Sequence, residues 1–597
     1  MSDVNRLLFG KNTTENIVSL ETQDGHVELF IQQPDGSVIS KFESNKYWIL
    51  ANSNKVLKGW IRLQGDQHYC WGLQVDTKEE LNKFKAILRK SNIDIYSIYD
   101  GKESCMVNKG YTYYKGLKHT DITTLSFDIE TNGLKQNADS RVFLISNTFR
   151  KNGVTSRRLF CFDDYENDGQ MIQAWCEWVN DLDPSIILGH NIVTYDFPFI
   201  NFVSKLHGYE GLKLGRDKGS LMEIASYESN FRIDGSRDQA YKRLHIYGRE
   251  IIDTMFLAIK YDFQRKYESY GLKAIIKHEN LEVKDRQFYD ASTIKDNYNI
   301  PEEWKKIKAY AEHDADDSLA LYDLMSPSMF YWCQKVPKCF QAIIEGATGS
   351  QINSMMVRSY LQEGYSIPKA SPVEAYEGAI SIGNPGIYKN VSKVDVRSLY
   401  PSIMIAYEVY DSDKDPKGNF LKIVKELTTL RIKNKQLAKE TGLQYYSDLE
   451  QSEKIGINSA YGFMGAEGLN FNCCQAAEFV TAKGREILTL AMNWATSKSF
   501  KIVNADTDSI SFCKEDMSFI TESDRDSLRS ELNKLYPSEI VFEDDGYYEK
   551  VIVLRAKNYV LYDGKKIKYK GSALKSATIE PKIKEFLDSV LKEMLHN

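Results

Sequence analysis

Short apolar runs separated by Gly, Asn and Asp turn signals fill the chain from residue 1 to about 120. HVELFIQQPDGSVISKF and WIRLQGDQHYCWGLQV are examples, and this punctuated alternation predicts a β-rich N-terminal part. Near residue 122 the pattern changes to strands alternating with longer helical stretches. It continues to about 330, which predicts an α/β arrangement. In TTLSFDIETNG, Leu125, Phe127 and Ile129 alternate with Ser126, Asp128 and Glu130, a strand that Asn132-Gly133 closes. The segment 301–325, PEEWKKIKAYAEHDADDSLALYDLM, predicts one helix opened by Pro301. A second α/β stretch begins near 370 and is interrupted by a basic helical segment over 417–460. KIVNADTDSISF predicts two short strands joined by a tight turn. No internal repeat and no low-complexity linker separates these parts, so the domains are expected to pack together.

Composition narrows the class. At 597 residues the chain is too long for one compact core, and three or four domains are expected. Apolar residues at 42% and charged residues at 27% exclude a mainly disordered or collagen-like chain. No window is apolar for long enough to span a bilayer, so no membrane partner is expected. The start, MSDVNRLLFGKNTT, has no apolar core of a signal peptide. Nine cysteines without a CxxC predict a reducing, cytoplasmic setting and no structural zinc. The net charge of −6 argues against nucleic acid as a partner for the chain as a whole. Local charge reverses the argument. Lys550–Lys575 carries eight Lys or Arg against Asp563 alone, and Leu421–Glu440 carries six against two Glu. Either island, taken alone, is equally a solvated face.

Candidate chemistry lies in two sets of carboxylates. A strand has period two, so Asp128 and Glu130 project from one face and repel each other unless a cation lies between them. DxE alone is also what a strand with one wet face looks like. Two further features accompany it: Asp196, after the apolar strand and His190-Asn191 of SIILGHNIVTYDFPFI, and the pair Tyr310 and Asp314, one turn apart on the 301–325 helix. Four acids from three elements can surround two divalent ions, which activate a water and stabilise the leaving oxygen of a phosphodiester.

FDIET, HNIVTYDFP and YAEHD, in that order, resemble the three motifs of DEDDy-type 3′–5′ proofreading exonucleases. The resemblance implies an RNase H-like domain with Asp128, Glu130, Asp196 and Asp314 as metal ligands and Tyr310 as the residue that positions water. YGREIIDTMFLA resembles a segment of the same domain, with Asp253 in a structural role.

The second set is Asp395, ending an apolar strand before Pro401, and Asp506 with Asp508 at a hairpin tip. A hairpin tip with two acids is commonly only a solvated turn. A calcium loop fails, because Ser511 and Met517 stand where Gly and Glu are needed. Lys454, Asn458 and Tyr461 form one helical stripe, and Arg431 and Lys435 another i,i+4 pair. Such cations suit a triphosphate bridged by Mg²⁺ to carboxylates, and no GxxxxGK[ST] loop supplies a phosphate cradle instead.

The order VDVRSLYPSI, KxxxNSxYG and DTDS is similar to motifs A, B and C of family B (polymerase α-like) DNA polymerases. AYEGA resembles that family's YxGG/A segment, AKNY its KxY primer-binding motif, and Lys570-Gly571 its KG segment. The resemblance covers about 120–580. It implies a multidomain α/β and α+β fold with a β-rich N-terminal domain (1–120, completed by 331–370) and an RNase H-like exonuclease domain (121–330). A palm with an antiparallel sheet (371–415 and 466–575), short helical fingers (416–465) and only a stub of a thumb (576–597) complete it.

It implies an enzyme: a DNA-directed DNA polymerase with 3′–5′ exonuclease activity, using two Mg²⁺ per site, replaceable by Mn²⁺, and dNTP substrates on primer–template DNA. Asp395, Asp508, the Val396 carbonyl and a supporting Asp506 would hold the metals. Arg431, Lys435, Lys454, Asn458, Ser398, Leu399 and Tyr400 would hold the nucleotide, with Tyr400 excluding a 2′-hydroxyl. Lys557, Tyr559, Lys570, Gly571, Tyr376 and Gly378 would meet DNA. The short interval between motifs A and B favours a nucleic-acid primer over a protein primer. The segment 576–597 reads as one amphipathic helix, so a thumb on a second polypeptide is one expectation, a truncated gene or a naturally thumb-poor enzyme the others. The wording of 375–410 and the start of the thumb are most similar to T-even-type bacteriophage polymerases, which implies the cytoplasm of an infected bacterium. A sliding clamp is a further implied partner. Competing functions are an exonuclease whose polymerase half is idle, and a non-enzymatic primer–template binding module.

Overall fold

The computed structural model describes residues 3–233, 237–262, 265–282, 289–571 and 579–596. The chain forms two compact units: Met1–Pro368 with Arg431–Ile455, and Lys369–Leu430 with Gly456–Asn597.

The first unit opens with two small antiparallel sheets. One is a meander of Ile17–Gln23, His26–Gln32 and Val38–Ser44. The other runs in the order Ile61–Arg62, Trp71–Val75, Tyr47–Ala51, Ile95–Tyr96. Helices Lys78–Lys90 and Gly101–Lys109 add to what the sequence reading described only as β-rich. Each starts at a side-chain cap: Thr77 Oγ1 accepts from the Glu80 N–H at 3.1 Å and Asp100 Oδ1 from the Glu103 N–H at 3.0 Å. Leu81 and Leu88, seven residues apart on one helical face, bury against Tyr47, Ile49 and Leu73. Residues near 365 return here: the Gln64 N–H donates to the Gly364 carbonyl at 2.8 Å and the Tyr69 N–H to Ile367 at 2.9 Å.

The same unit holds a five-stranded mixed sheet in the order Val154–Cys161, Val142–Lys151, Thr124–Thr131, Ile186–Gly189, Glu250–Asp253. The first three strands are antiparallel and the last two join in parallel. Helix Pro301–Met325 starts and stops where the sequence pattern places it, and it packs across Thr124–Thr131 and Val142–Lys151. Asp262, Asp253 and Glu250, all buried, are consumed by backbone N–H groups around this sheet.

The second unit is built on a seven-stranded antiparallel sheet. Its order is Ser381–Gly383, Phe500–Asp506, Ser509–Lys514, Gly386–Val396, Phe542–Arg555, Asn558–Tyr562, Ile567–Lys570. Helix Cys474–Ser497 lies on Phe500–Asp506, and Leu399–Ala406 packs on that helix. Helices Asn419–Thr441 and Gln444–Met464 are joined through Gly442, which adopts a left-handed φ of +67°. The expected fingers are thus a pair of helices, but their far ends, Arg431–Ile455, belong to the first unit. There Tyr445 packs edge-on against Tyr331 at 5.4 Å, and the buried Lys335 ammonium pairs with the buried Glu453 carboxylate at 3.3 Å. Leu591 and Leu595 of the last helix, Pro581–His596, bury against Ile552 and Val560. Residues 572–575 of the expected palm, with Lys575 of its basic island, and 576–578 of the expected thumb stub lie outside the described residues.

Candidate active sites

The first site forms at the end of the mixed sheet. Strand alternation turns Asp128 and Glu130 to the same face, and helix Pro301–Met325 brings Asp314 over them. Oxygen atoms of these three carboxylates lie within 4.8 Å of one another. Asp196 approaches from the first turn of helix Asp196–Leu206, after a tight passage at the end of Ile186–Gly189. Gly189 is needed there, because a Cβ would stand 2.5 Å from the Phe127 carbonyl oxygen. Burial, then the charges of Asp314, Asp196 and Glu130, hold the Asp128 carboxyl well above its ordinary range. Burial and Asp314 push Glu130 up to about 8, and burial and Asp253 push Asp196 up to about 8. Four clustered acids that resist ionisation together are a donor set for hard divalent cations, whose charge would restore the carboxylates.

Tyr310 is buried one turn before Asp314. Its hydroxyl accepts a hydrogen bond from Lys273, whose ammonium lies 4.0 Å from the tyrosine ring centroid and 3.8 Å from Asp314 Oδ2. The sequence reading missed Lys273. It sits in the short helix Leu272–His278, far from the acidic motifs along the chain, and no spacing signals it. The loop after Glu130 is tied down by Tyr195, whose hydroxyl donates to the Gly133 carbonyl at 3.0 Å and shares a 2.6 Å hydrogen bond with Thr131 Oγ1. His190 bridges Thr254 Oγ1 and the Tyr270 carbonyl, and burial lowers its pKa to about 4. Asp253 accepts from the Asn191, Val193 and Met255 N–H groups at 2.9–3.1 Å and so braces the loop that leads to Asp196.

The second site lies on the antiparallel sheet. Asp395 ends Gly386–Val396 opposite Ser509 and Glu543. The turn between Phe500–Asp506 and Ser509–Lys514 carries Thr507 at a left-handed φ of +53°. Two short bonds fix it: Asp508 N–H to Asp506 O at 2.6 Å and Val396 N–H to Asp508 O at 2.7 Å. Burial, then Asp508 and Asp545, push Asp395 up to about 7, and burial raises Asp508 as well. Ser398, also left-handed at +50°, starts helix Leu399–Ala406, in which Leu399 is buried. Tyr400 stacks obliquely on Tyr461 at 4.5 Å, and the Tyr461 hydroxyl meets that of Tyr376 at 3.0 Å. The Gly378 carbonyl accepts from Arg485 at 2.6 Å. Asn458 is exposed on the Tyr461 helix.

Arg431, Lys435 and Lys454 lie in the part of the helix pair that belongs to the first unit. Arg431 Nε donates to Glu450 at 2.8 Å, and Lys435 is exposed. Lys557 takes a left-handed φ of +62°, with its ammonium 3.9 Å from Asp506. Gly571 (φ +103°) presses on it: a Cβ there would stand 2.1 Å from the Lys557 carbonyl oxygen. Tyr559 is buried rather than offered to solvent, in the cluster with Tyr388 and Tyr548. Lys570 is exposed. Among the described residues, the second site holds no group of three carboxylates as tight as that of the first.

A sequence profile for "DNA polymerase family B, exonuclease domain" matches residues 89–275, and one for "DNA polymerase family B" matches residues 408–597. Together they take in more than half of the chain. The chain belongs to DNA polymerase family B. Asp314, Tyr310 and Asp395 fall outside both matched segments. A DNA polymerase of Archaeoglobus fulgidus is 26% identical over 420 residues, 66% of this chain and 50% of that one. The DNA polymerase delta catalytic subunit of Schizosaccharomyces pombe is 24% identical over 95% of this chain and 57% of its own. The chain spans about half the length of the curated relatives it matches. The family B DNA polymerase of Pyrobaculum calidifontis shares the fold, with a TM-score of 0.72 at 18% identity over 93% of this chain and 80% of that one. Among the described residues no helix is long and apolar enough to cross a membrane.

Proposed function

We propose that the chain extends a DNA primer by template-directed nucleotidyl transfer on the antiparallel sheet and removes mispaired 3′ ends at the mixed sheet. The observation that carries the reading is the presence, in a family B chain, of both acidic centres, each fixed by its own sheet and each holding carboxylates above their ordinary pKa. In both centres, bound Mg²⁺ (or Mn²⁺) would supply Lewis acidity at the reacting oxygen and charge against the phosphates. Asp395, Asp508 and the Val396 carbonyl are the proposed holders at the polymerase centre, with Asp506 beside them. Asp128, Glu130, Asp196 and Asp314 would hold them at the exonuclease centre.

The chain's own groups do the rest. The Tyr376–Tyr461–Tyr400 contact makes a rigid floor on which Tyr400 faces the sugar and rejects a 2′-hydroxyl. Arg431, Lys435, Lys454 and Asn458 are the proposed triphosphate ligands. Lys557 and Lys570, with Gly571 fixing the turn, take primer phosphates. At the exonuclease centre Tyr310 orients the attacking water, and Lys273 holds the Tyr310 hydroxyl in place. Template pairing supplies the sequence of the product, so backbone contacts suffice for the protein.

A 5′-labelled primer on a longer template, with dNTPs and Mg²⁺, tests the reading with the purified chain. Extension is expected from wild type and from Asp128→Ala/Glu130→Ala, and shortening from Asp395→Ala/Asp508→Ala. Shortening by wild type with no extension by the exonuclease-silent variant would replace the polymerase reading with that of an exonuclease. A sliding clamp and a thumb-bearing polypeptide rest on resemblance, and longer products on adding either would support them. The T-even-type origin rests on the wording of 375–410 and of the thumb start, whereas the relatives found are archaeal and eukaryotic. The genes flanking the reading frame test it.

A further inference from the structure

The polymerase centre contains a lysine that neither the motifs nor the proposed mechanism uses. Lys393 lies two residues before Asp395 on strand Gly386–Val396, and period two puts both side chains on one face. Its neighbours across the sheet are Ser511 on one side and Gly546 on the other, with an irregularity in register between Lys393 and Val394. The Lys393 side chain is only 9% exposed. Its ammonium is ion-paired to Asp545, a half-exposed carboxylate on strand Phe542–Arg555. Strand alternation puts it on the face that carries Asp395, whose cross-strand partner Ser509 follows Asp508, and its charge there works against the burial that raises both carboxyls. Tyr559 of the neighbouring strand Asn558–Tyr562 feels it too. A buried lysine costs several kcal/mol in desolvation unless it is paired, so its presence under an acidic centre requires a partner, and Asp545 is that partner.

We propose that Lys393 is a positioning residue: an internal cation, tethered by Asp545, that weakens the polymerase centre's hold on divalent metal until a nucleotide arrives with charge of its own. The inference rests on the polymerase reading of this centre. Held by Asp545, the ammonium offsets part of the Asp395 and Asp508 charge without displacing either carboxylate. Released from Asp545, it would turn toward them and compete with the metal directly. Two charges of opposite sign acting separately would cancel; a tether makes the effect of Asp545 pass through Lys393, and that difference is measurable.

The test uses the full chain carrying Asp128→Ala/Glu130→Ala, so that exonuclease metal does not obscure the signal. Free Mn²⁺ is measured by electron paramagnetic resonance without DNA or nucleotide. Lys393→Met is expected to bind Mn²⁺ roughly tenfold more tightly, about the effect of 1.4 kcal/mol. Asp545→Asn is expected to bind more weakly, and Lys393→Met/Asp545→Asn to match Lys393→Met. Lys393→Arg keeps the charge and keeps the background affinity. Primer extension by Lys393→Met should also saturate at lower Mg²⁺. Unchanged or weaker Mn²⁺ binding by a folded Lys393→Met overturns the inference, as does a double variant that returns to the background value. If Lys393→Met does not fold, Asp545→Asn decides alone: unchanged or tighter binding overturns the inference. If the background binds no Mn²⁺ that Asp395→Asn/Asp508→Asn removes, the polymerase reading itself fails, a result distinct from failure of the lysine's role.

Discussion

At the scale of single residues, the proposed exonuclease chemistry makes a tyrosine hydroxyl, held by a lysine, its most exposed point of test. Tyr310→Phe removes the hydroxyl and leaves the ring in its buried place. Exonuclease turnover should fall by about 10²-fold with primer extension unchanged. Lys273→Met should lower turnover in the same assay, because the hydroxyl it positions is then free to turn away. Equal exonuclease rates for wild type and Tyr310→Phe would remove the tyrosine from the mechanism. Gly571 makes a different demand. A Cβ would need the Lys557 carbonyl to move, and φ is already in the region that L side chains avoid. Gly571→Ala should cost about 1–3 kcal/mol, seen as a lower Tm, and should lower primer extension with the exonuclease untouched.

At the scale of elements, local pattern was enough where an element's own residues decide its form. The Thr124–Thr131 strand, the Pro301–Met325 helix and the hairpin around Asp506 and Asp508 follow from period and terminal residues. Helices Lys78–Lys90 and Gly101–Lys109 escaped because the strands around them set the reading, although Thr77 and Asp100 are cap residues in plain view. Lys273 escaped for another reason: its meaning comes from the tertiary approach of a helix to Asp314, which no spacing records. The same holds for Lys393, whose ion pair with Asp545 forms only when the strands come together and set it between Ser511 and Gly546. The sequence pattern groups the helix pair over 416–465 as one piece, whereas its far ends lie in the first unit, where Lys335 and Glu453 are buried together. Glu453→Gln would strand a buried ammonium. It should destabilise the first unit by about 3–5 kcal/mol, read as a shift in urea unfolding, and unchanged unfolding would show that the pair contributes nothing.

At the scale of the whole molecule, acid should unfold the protein partly through one imidazole. His119 stacks on Tyr322, shares a 2.7 Å hydrogen bond with Ser326 Oγ and has its pKa lowered to about 3 by burial, with Arg150 adding to the effect. The unfolded chain takes up that proton below about 6.5 and the folded chain does not. The contribution is therefore fully present above pH 6.5 and declines as pH falls toward 3, by up to about 1.4 kcal/mol per unit. Raised carboxylates such as Glu130 act in the opposite direction, so the comparison must be made against His119→Gln. Between pH 7.5 and 5.5, wild type should lose about 1 kcal/mol more unfolding free energy than that variant. Parallel pH profiles would exclude the histidine.

The three amides that converge on Asp253 bear on how variation in this chain is to be read. Asp253 is buried and acidic, and its pKa is raised to about 6, so by charge and environment it resembles the carboxylates next to it that are proposed to hold metal. Asparagine there could accept through one oxygen only, and leucine through none. Selection against replacement would then be as severe at Asp253 as at Asp128, and a record of tolerated substitutions would rank a brace and a ligand alike. On the proposed reading, what separates them is their response to added divalent metal. Damage at Asp253 would appear in the apoprotein, as loss of the loop leading to Asp196, whereas damage at Asp128 would appear only when metal is added.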